Sequence, residues 1–257
     1  MNPNLRATAE GCNSQRAVID ASARPGLPIF ITEWSASYSH RDPVHDHYFA
    51  APFILEQLKH TESLGAMSYW TFTDIFEEGG PPPRPFHGGF GLLTMQGIKK
   101  PSYFAYRFLG ELGAEELANT DDRSWVCRDM AGNIQALFWD LTPLSDDQTP
   151  NQTVFRRDDP PVGQTSVSLS FSALKPGRYR LAVMQVGFQK ADAYTAYLEM
   201  GAPVHLDRAQ MASLTETAHA LPDHESEVEV DGTGRWAQEF TVRSNDVFLV
   251  KLSALEQ

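Results

Sequence analysis

Glu33 closes the run Leu27-Pro28-Ile29-Phe30-Ile31-Thr32 and is followed at once by Trp34. A short apolar, β-branched run of this kind reads as a buried parallel strand. A carboxylate at its C-terminal end stands where barrel enzymes keep their catalytic groups. Beside an indole, such a group can act as a nucleophile toward the anomeric carbon of a sugar. The plainer alternative is an acid that caps a helix or pairs with an arginine. The stretch Tyr69-Trp70-Thr71-Phe72-Thr73-Asp74-Ile75-Phe76-Glu77-Glu78 repeats the pattern, an aromatic strand end before a loop with paired acids. Flat rings suit the apolar faces of sugars, and Glu77 and Glu78 can accept hydroxyl hydrogen bonds. Taken alone, this stretch reads equally as a core strand before a solvated acidic turn. In Pro85-Phe86-His87-Gly88-Gly89-Phe90-Gly91-Leu92-Leu93 the glycines permit tight turns and close backbone approach. Their spacing is not that of a dinucleotide fingerprint.

The elements that must position these groups follow from periodicity. A helix tail near residues 16–21 ends at Arg24-Pro25-Gly26. After the first strand, a loop runs to Asp46, which fits an N-cap. Phe49, Phe53 and Leu58 then take helical spacing to about residue 60, with Pro52 in the tolerant early turns. Residues 66–72 form a second strand. Pro101 opens a further helix whose apolar face carries Phe104, Phe108 and Leu112 and which stops at Gly113. Strand, loop, helix, strand, loop, helix implies parallel strands joined by crossover helices.

From about residue 119 the texture changes. Val167, Leu169 and Phe171 alternate with Ser166, Ser168 and Ser170, a strand with one buried face. Similar strands are expected at 134–139, 179–183, 228–230, 236–242 and 247–252, separated by turn residues. They predict an antiparallel sandwich, with short helices at 192–200 and 207–217 and an exposed loop at 143–164. Trp125, Trp139 and Trp236 fit its core, the alternative being that one of them forms a sugar platform.

Composition narrows the classes of partner. The 257 residues carry a net charge of -12, which argues against a nucleic-acid surface and gives no help with an anionic membrane. No apolar run reaches membrane-spanning length, and the first residues lack a signal core, so the expected location is cytoplasmic unless the chain is truncated at its start. Cys12 and Cys127 are too few for a disulfide framework and are expected to be free thiols. His45 and His47, two residues apart in a loop, read as surface histidines rather than metal ligands. Asn151-Gln152-Thr153 matches a glycosylation sequon by chance.

Taken together, Thr32-Glu33-Trp34-Ser35, Asp42-Pro43-Val44-His45-Asp46, Ser68 to Glu78, and Phe86-His87-Gly88-Gly89-Phe90-Gly91-Leu92-Leu93 to Gly97-Ile98-Lys99-Lys100-Pro101 resemble bacterial β-xylosidases of glycoside hydrolase family 39. The family's α-L-iduronidases are a more distant likeness. The resemblance covers residues 15–118 in detail and the rest more loosely. It implies an eight-fold β/α (TIM) barrel with an appended β-sandwich. On that pattern residues 1–118 are the last part of the barrel, holding its final two βα units, and residues 119–257 are the sandwich. It also implies retaining hydrolysis of β-xylosides without a cofactor or metal. Glu33 matches the nucleophile at the end of the seventh strand, and Trp70, Glu77 and Glu78 match xylose-binding positions after the eighth. The expected ligands are xylose-containing oligosaccharides and aryl xylosides.

One departure stands out. The family's acid/base is a Glu within Asn-Glu-Pro, and that tripeptide occurs nowhere here. A retaining mechanism needs two carboxyl groups about 5–5.5 Å apart. The expectation is therefore an incomplete enzyme; the alternatives are a non-catalytic, sugar-binding or assembly remnant, or a complementing subunit. Two βα units leave strand edges open. Phe49, Phe53, Phe104 and Phe108 are then expected to stay uncovered, and the chain to self-associate, unless the sandwich shields them.

Overall fold

The computed structural model describes residues 4–61, 63–75, 79–144, 151–219 and 222–255. Helix α1 (Ala7–Asp20) precedes strand β1 (Phe30–Trp34), helix α2 (Ala50–Lys59) links β1 to β2 (Ala66–Tyr69), and α3 (Pro101–Leu109) follows. β1 and β2 pair in parallel, Phe30 beside Ala66 and Trp34 beside Tyr69, with an irregularity between Ile31 and Trp34. Beyond β2 the chain continues against residues 90–93: Thr71 N donates to Phe90 O at 3.0 Å and Asp74 N to Leu93 O at 2.9 Å. The Trp70–Thr71 peptide between them is cis. Pro101 occupies the start of α3, where its missing N–H costs nothing.

The remaining strands are antiparallel. β3 (Glu115–Glu116), β4 (Ser124–Arg128), β5 (Ile134–Trp139), β6 (Gln164–Phe171), β7 (Gly177–Val186), β8 (His224–Val230), β9 (Trp236–Arg243) and β10 (Val247–Ala254) form a six-stranded sheet in the order β3-β4-β5-β10-β7-β8 and a two-stranded sheet β6-β9. Helix α4 (Asn151–Val154) lies between β5 and β6, and helices α5 (Ala193–Glu199) and α6 (Arg208–Thr217) between β7 and β8. β5 and β10 sit between two cores. One face carries Phe138, Phe248 and Val250 toward Phe240 and Trp236 of β9. The other carries Leu137, Trp139, Val247 and Leu249 toward Phe49, Phe53, Phe104 and Phe108 of α2 and α3. Alternation along a strand sends successive side chains to opposite faces, so a strand covered on both sides reads as continuously apolar. All six residues of β5 are accordingly buried.

Phe49, Phe53, Phe104 and Phe108 are covered by the six-stranded sheet, the shielding that the expectation of self-association set as its exception. Other expectations need correction. The 143–164 stretch is not wholly an exposed loop: α4 brings Val154 and Phe155 into the core, where Phe155 lies against Phe49; residues 145–150 lie outside the described residues. Asp46 does not cap α2, whose N-cap is Phe49 without a side-chain bond. His45 and His47 are fully buried rather than superficial. Trp139 is core but faces α2 rather than the second sheet, and the Trp125 ring lies beside it, tilted by 40° at 5.2 Å. Strands β3 and β4 were not foreseen. Cys12 and Cys127 are free and buried. No helix among the described residues is long and apolar enough to cross a membrane.

Candidate active site

β1 is half covered. Trp34 is buried and meets the Tyr69 ring edge-on at 5.3 Å and 89°. Glu33, its neighbour on the opposite face of the strand, is exposed. Trp70 N donates to Trp34 O at 2.8 Å, which sets the Trp70 side chain next to the strand end that bears Glu33. Glu33 and Trp70 line one open cleft of ≈ 1050 Å³, shared with Tyr38, His40 and Phe90. Two of the four site residues expected from the sequence are therefore brought together. Glu77 and Glu78 lie outside the described residues. The second carboxylate among the described cleft residues is Asp42, whose Oδ1 accepts from Val44 N at 3.3 Å and so closes the 3-10 turn Pro43–His45.

Behind the cleft sits an assembly that sequence reasoning missed. Lys100 is fully buried and lies 2.7 Å from Asp46 Oδ1 and 2.8 Å from Asp74 Oδ2. It also donates to Gly89 O at 2.8 Å. The same carboxylates accept from the loop backbone: Asp46 Oδ2 from Gly88 N at 2.6 Å, Asp74 Oδ1 from Gly91 N at 2.8 Å. Burial alone would push the Lys100 ammonium down, but the two carboxylates outweigh it and hold it above its ordinary value. Desolvation pushes the Asp74 carboxyl up, against the pull of Lys100. Three loops, those bearing Asp46, Asp74 and residues 87–91, are thus tied to one ammonium.

The glycines of the third sequence motif are required by this tie. A Cβ at Gly88, whose φ is +78°, would lie 2.5 Å from the Asp42 backbone, and one at Gly91 would lie 2.4 Å from Asp74 N. His45 extends the same wall, its ring nitrogens lying 2.8 Å from Gly88 O and 3.0 Å from Ser37 O. Burial depresses its pKa. Phe90, at the end of the glycine loop, packs on His45 at 4.7 Å and on His40 at 5.5 Å before reaching the cleft. No local pattern in the sequence marks Lys100, which stands beside Lys99, as the buried one.

Among proteins of known architecture, the chain superposes on glycosidases. It aligns with the crystal structure of a monomeric β-xylosidase from Caulobacter crescentus CB15 at a TM-score of 0.92 and 39% identity, covering 100% of this chain and 51% of that one. A GH39 enzyme from Xanthomonas axonopodis pv. citri aligns at a TM-score of 0.92 and 36% identity, covering 96% and 49%. A β-xylosidase of Caldicellulosiruptor saccharolyticus is 34% identical over 195 residues, 75% of this chain and 38% of the relative. The chain belongs to glycosyl hydrolases family 39, whose family model matches residues 6–236. It spans about half the length of the solved relatives and less of the curated one.

Proposed function

We propose that this chain carries the nucleophile half of a retaining β-xylosidase site, with Glu33 as the nucleophile. The observation that carries the reading is that Glu33 and Trp70 line one cleft at the end of a parallel strand pair. On this reading β1 and β2 are the last two strands of an eight-fold barrel within residues 1–118. Residues 119–257 are then an accessory β-sandwich.

The Glu33 carboxylate bonds to the anomeric carbon as the leaving oxygen departs and takes a proton from a second carboxylic acid. That acid then removes a proton from water, which attacks the same carbon and releases Glu33. The family resemblance puts that acid within an Asn-Glu-Pro tripeptide, which this sequence lacks. Trp70 offers a flat face to the sugar ring, and Glu77 and Glu78 are assigned to its hydroxyls. The substrates are xylose-containing oligosaccharides and aryl xylosides, and the reaction uses no cofactor.

The open side of the strand pair suits a complementing polypeptide or the rest of a barrel: Phe30 and Phe72 stand 60% and 64% exposed there. A second reading, a non-catalytic sugar-binding or assembly piece, is favoured by the lack of an uncommitted second carboxylate among the described cleft residues. The test is turnover of an aryl β-xyloside by the chain alone and with a polypeptide carrying the first six barrel units. Turnover that needs Glu33, judged by Glu33→Gln, supports the enzyme. No turnover in either mixture favours the non-catalytic piece.

A further inference from the structure

A second pocket, of ≈ 360 Å³, opens beyond the wall that Arg41 and Pro43 make behind the cleft, and no residue lines both. Three guanidinium groups, of Arg41, Arg84 and Arg156, line it together with the rings of Phe86, Tyr194 and Tyr197. This convergence runs against the rest of the molecule. The chain has 33 acidic residues against 21 basic ones, and several arginines elsewhere are taken up by carboxylates, as Arg6 is by Glu56, Arg107 by Glu111 and Arg243 by Asp246. No carboxylate among the described residues pairs with Arg41, Arg84 or Arg156. Like charges gathered around one hollow repel, and with no described carboxylate paired to them the arrangement fits a site whose counter-ion arrives with a ligand.

Two further observations bear on the ligand. Arg41 is anchored through its terminal nitrogen to Gly79 O at 2.8 Å, while its Nε–H is buried with no acceptor. A buried donor without a partner is costly, and an anion would satisfy it. Burial raises the hydroxyl pKa of both Tyr194 and Tyr197, and the charge of Arg156 opposes the rise at the first, that of Arg84 at the second. The two exposed arginines and the two tyrosines thus line one hollow. A planar guanidinium fork matches a carboxylate in bidentate fashion, and aromatic rings match the apolar face of a pyranose.

We infer that this pocket binds a sugar bearing a carboxylate, a uronic acid, at a place separate from the Glu33 cleft. The inference stands independently of the glycosidase reading, because it uses none of the cleft's residues. The experiment is titration calorimetry of the chain at low salt with D-glucuronate, D-xylose and inorganic phosphate, repeated on an Arg84→Gln, Arg156→Gln double variant. Both side chains are exposed, so the variant's fold is checked by an unchanged melting temperature. The expected result is binding of D-glucuronate, at least about tenfold weaker binding of D-xylose, and a loss of about tenfold or more for D-glucuronate in the variant. Phosphate bound as tightly as D-glucuronate would mean that the ring adds nothing, and would overturn the assignment to a sugar acid. So would equal binding of D-xylose, unchanged affinity in the variant, or no binding of D-glucuronate.

Discussion

β1 and β5 are both short strands ending in an aromatic residue, yet their surroundings differ sharply. Every residue of β5 is buried, with α2 and α3 on one side and the β6-β9 pair on the other. Of β1 only Trp34 is buried, and Glu33 stands exposed beside it. β5 has hydrogen-bonded neighbours on both edges, β4 and β10, whereas among the described residues β1 pairs with β2 alone. β5 is the more apolar run, and the two also differ in how much partner each finds within the chain. β5 is stabilised by what this chain supplies, and β1 holds its chemistry on a face that remains open. Besides the β1–β2 pairing, the parallel unit is held by the Lys100 tie and by helices packed on the antiparallel sheet.

The sharpest break of this contrast is Lys100→Met. Removing the ammonium leaves Asp46 and Asp74 buried side by side with no cation, a loss of about 3–5 kcal/mol visible as a lower urea midpoint, with the loops around the cleft becoming protease-sensitive. A second test addresses the seam between the two regions. Trp139 Nε1 of β5 donates to Glu56 Oε2 of α2 at 3.0 Å, and the same buried carboxylate meets Arg6 Nε at 2.5 Å. Trp139→Phe removes a hydrogen bond to a charged group and should cost about 1.5–3 kcal/mol by denaturant unfolding.

Acid should loosen the same seam. His47 packs against Phe155 and accepts from Phe49 N at 3.2 Å, and burial pushes its pKa down to about 3. Its folded value lies below its ordinary one, so the stability it permits is present above pH ~6.5 and is lost as pH falls toward 3. By pH 5 the loss attributable to His47 should reach ~2 kcal/mol, and His47→Gln should flatten that part of the profile. Asp192, pushed up to about 6 by burial, works in the opposite sense, favouring the fold as pH falls from about 6 toward 4. The wild-type curve is the resultant, which makes the difference between wild type and variant the quantity to read. The smallest effect is expected on the far sheet: Arg178 and Glu227, both largely exposed and 2.7 Å apart, should contribute no more than about 0.5 kcal/mol, so Arg178→Ala should leave the midpoint nearly unmoved.

Much of this was legible in the residues. The alternating Val167, Leu169 and Phe171 mark β6, and Pro101 marks the first turn of α3. The turn chemistry at Asp231-Gly232 and Ser244-Asn245-Asp246 separates β8, β9 and β10. Glu33 and Trp70 were legible as cleft residues because a polar group ending an apolar strand breaks its pattern. Burial of His45, His47, Asp46 and Lys100 was not legible, since charged and imidazole side chains in loops are usually solvated. Only the long-range meeting of three loops gives them partners. Nor did periodicity foresee that residues near Phe155 would fold back under α2, because one buried aromatic in a polar stretch carries no period. The covering of Phe49 and Phe104 by β5 and β10 likewise depends on a contact between segments far apart in sequence.

The account turns on Glu33. The most direct measurement is mass spectrometry of the chain after incubation with a 2-deoxy-2-fluoro-β-xyloside that traps covalent glycosyl-enzyme, in the presence of a polypeptide supplying the first six barrel units. The account predicts a fluoroxylosyl adduct on the peptide containing Glu33, absent in Glu33→Gln. An adduct on another carboxylate of this chain, or aryl xyloside turnover that survives Glu33→Gln, would contradict it.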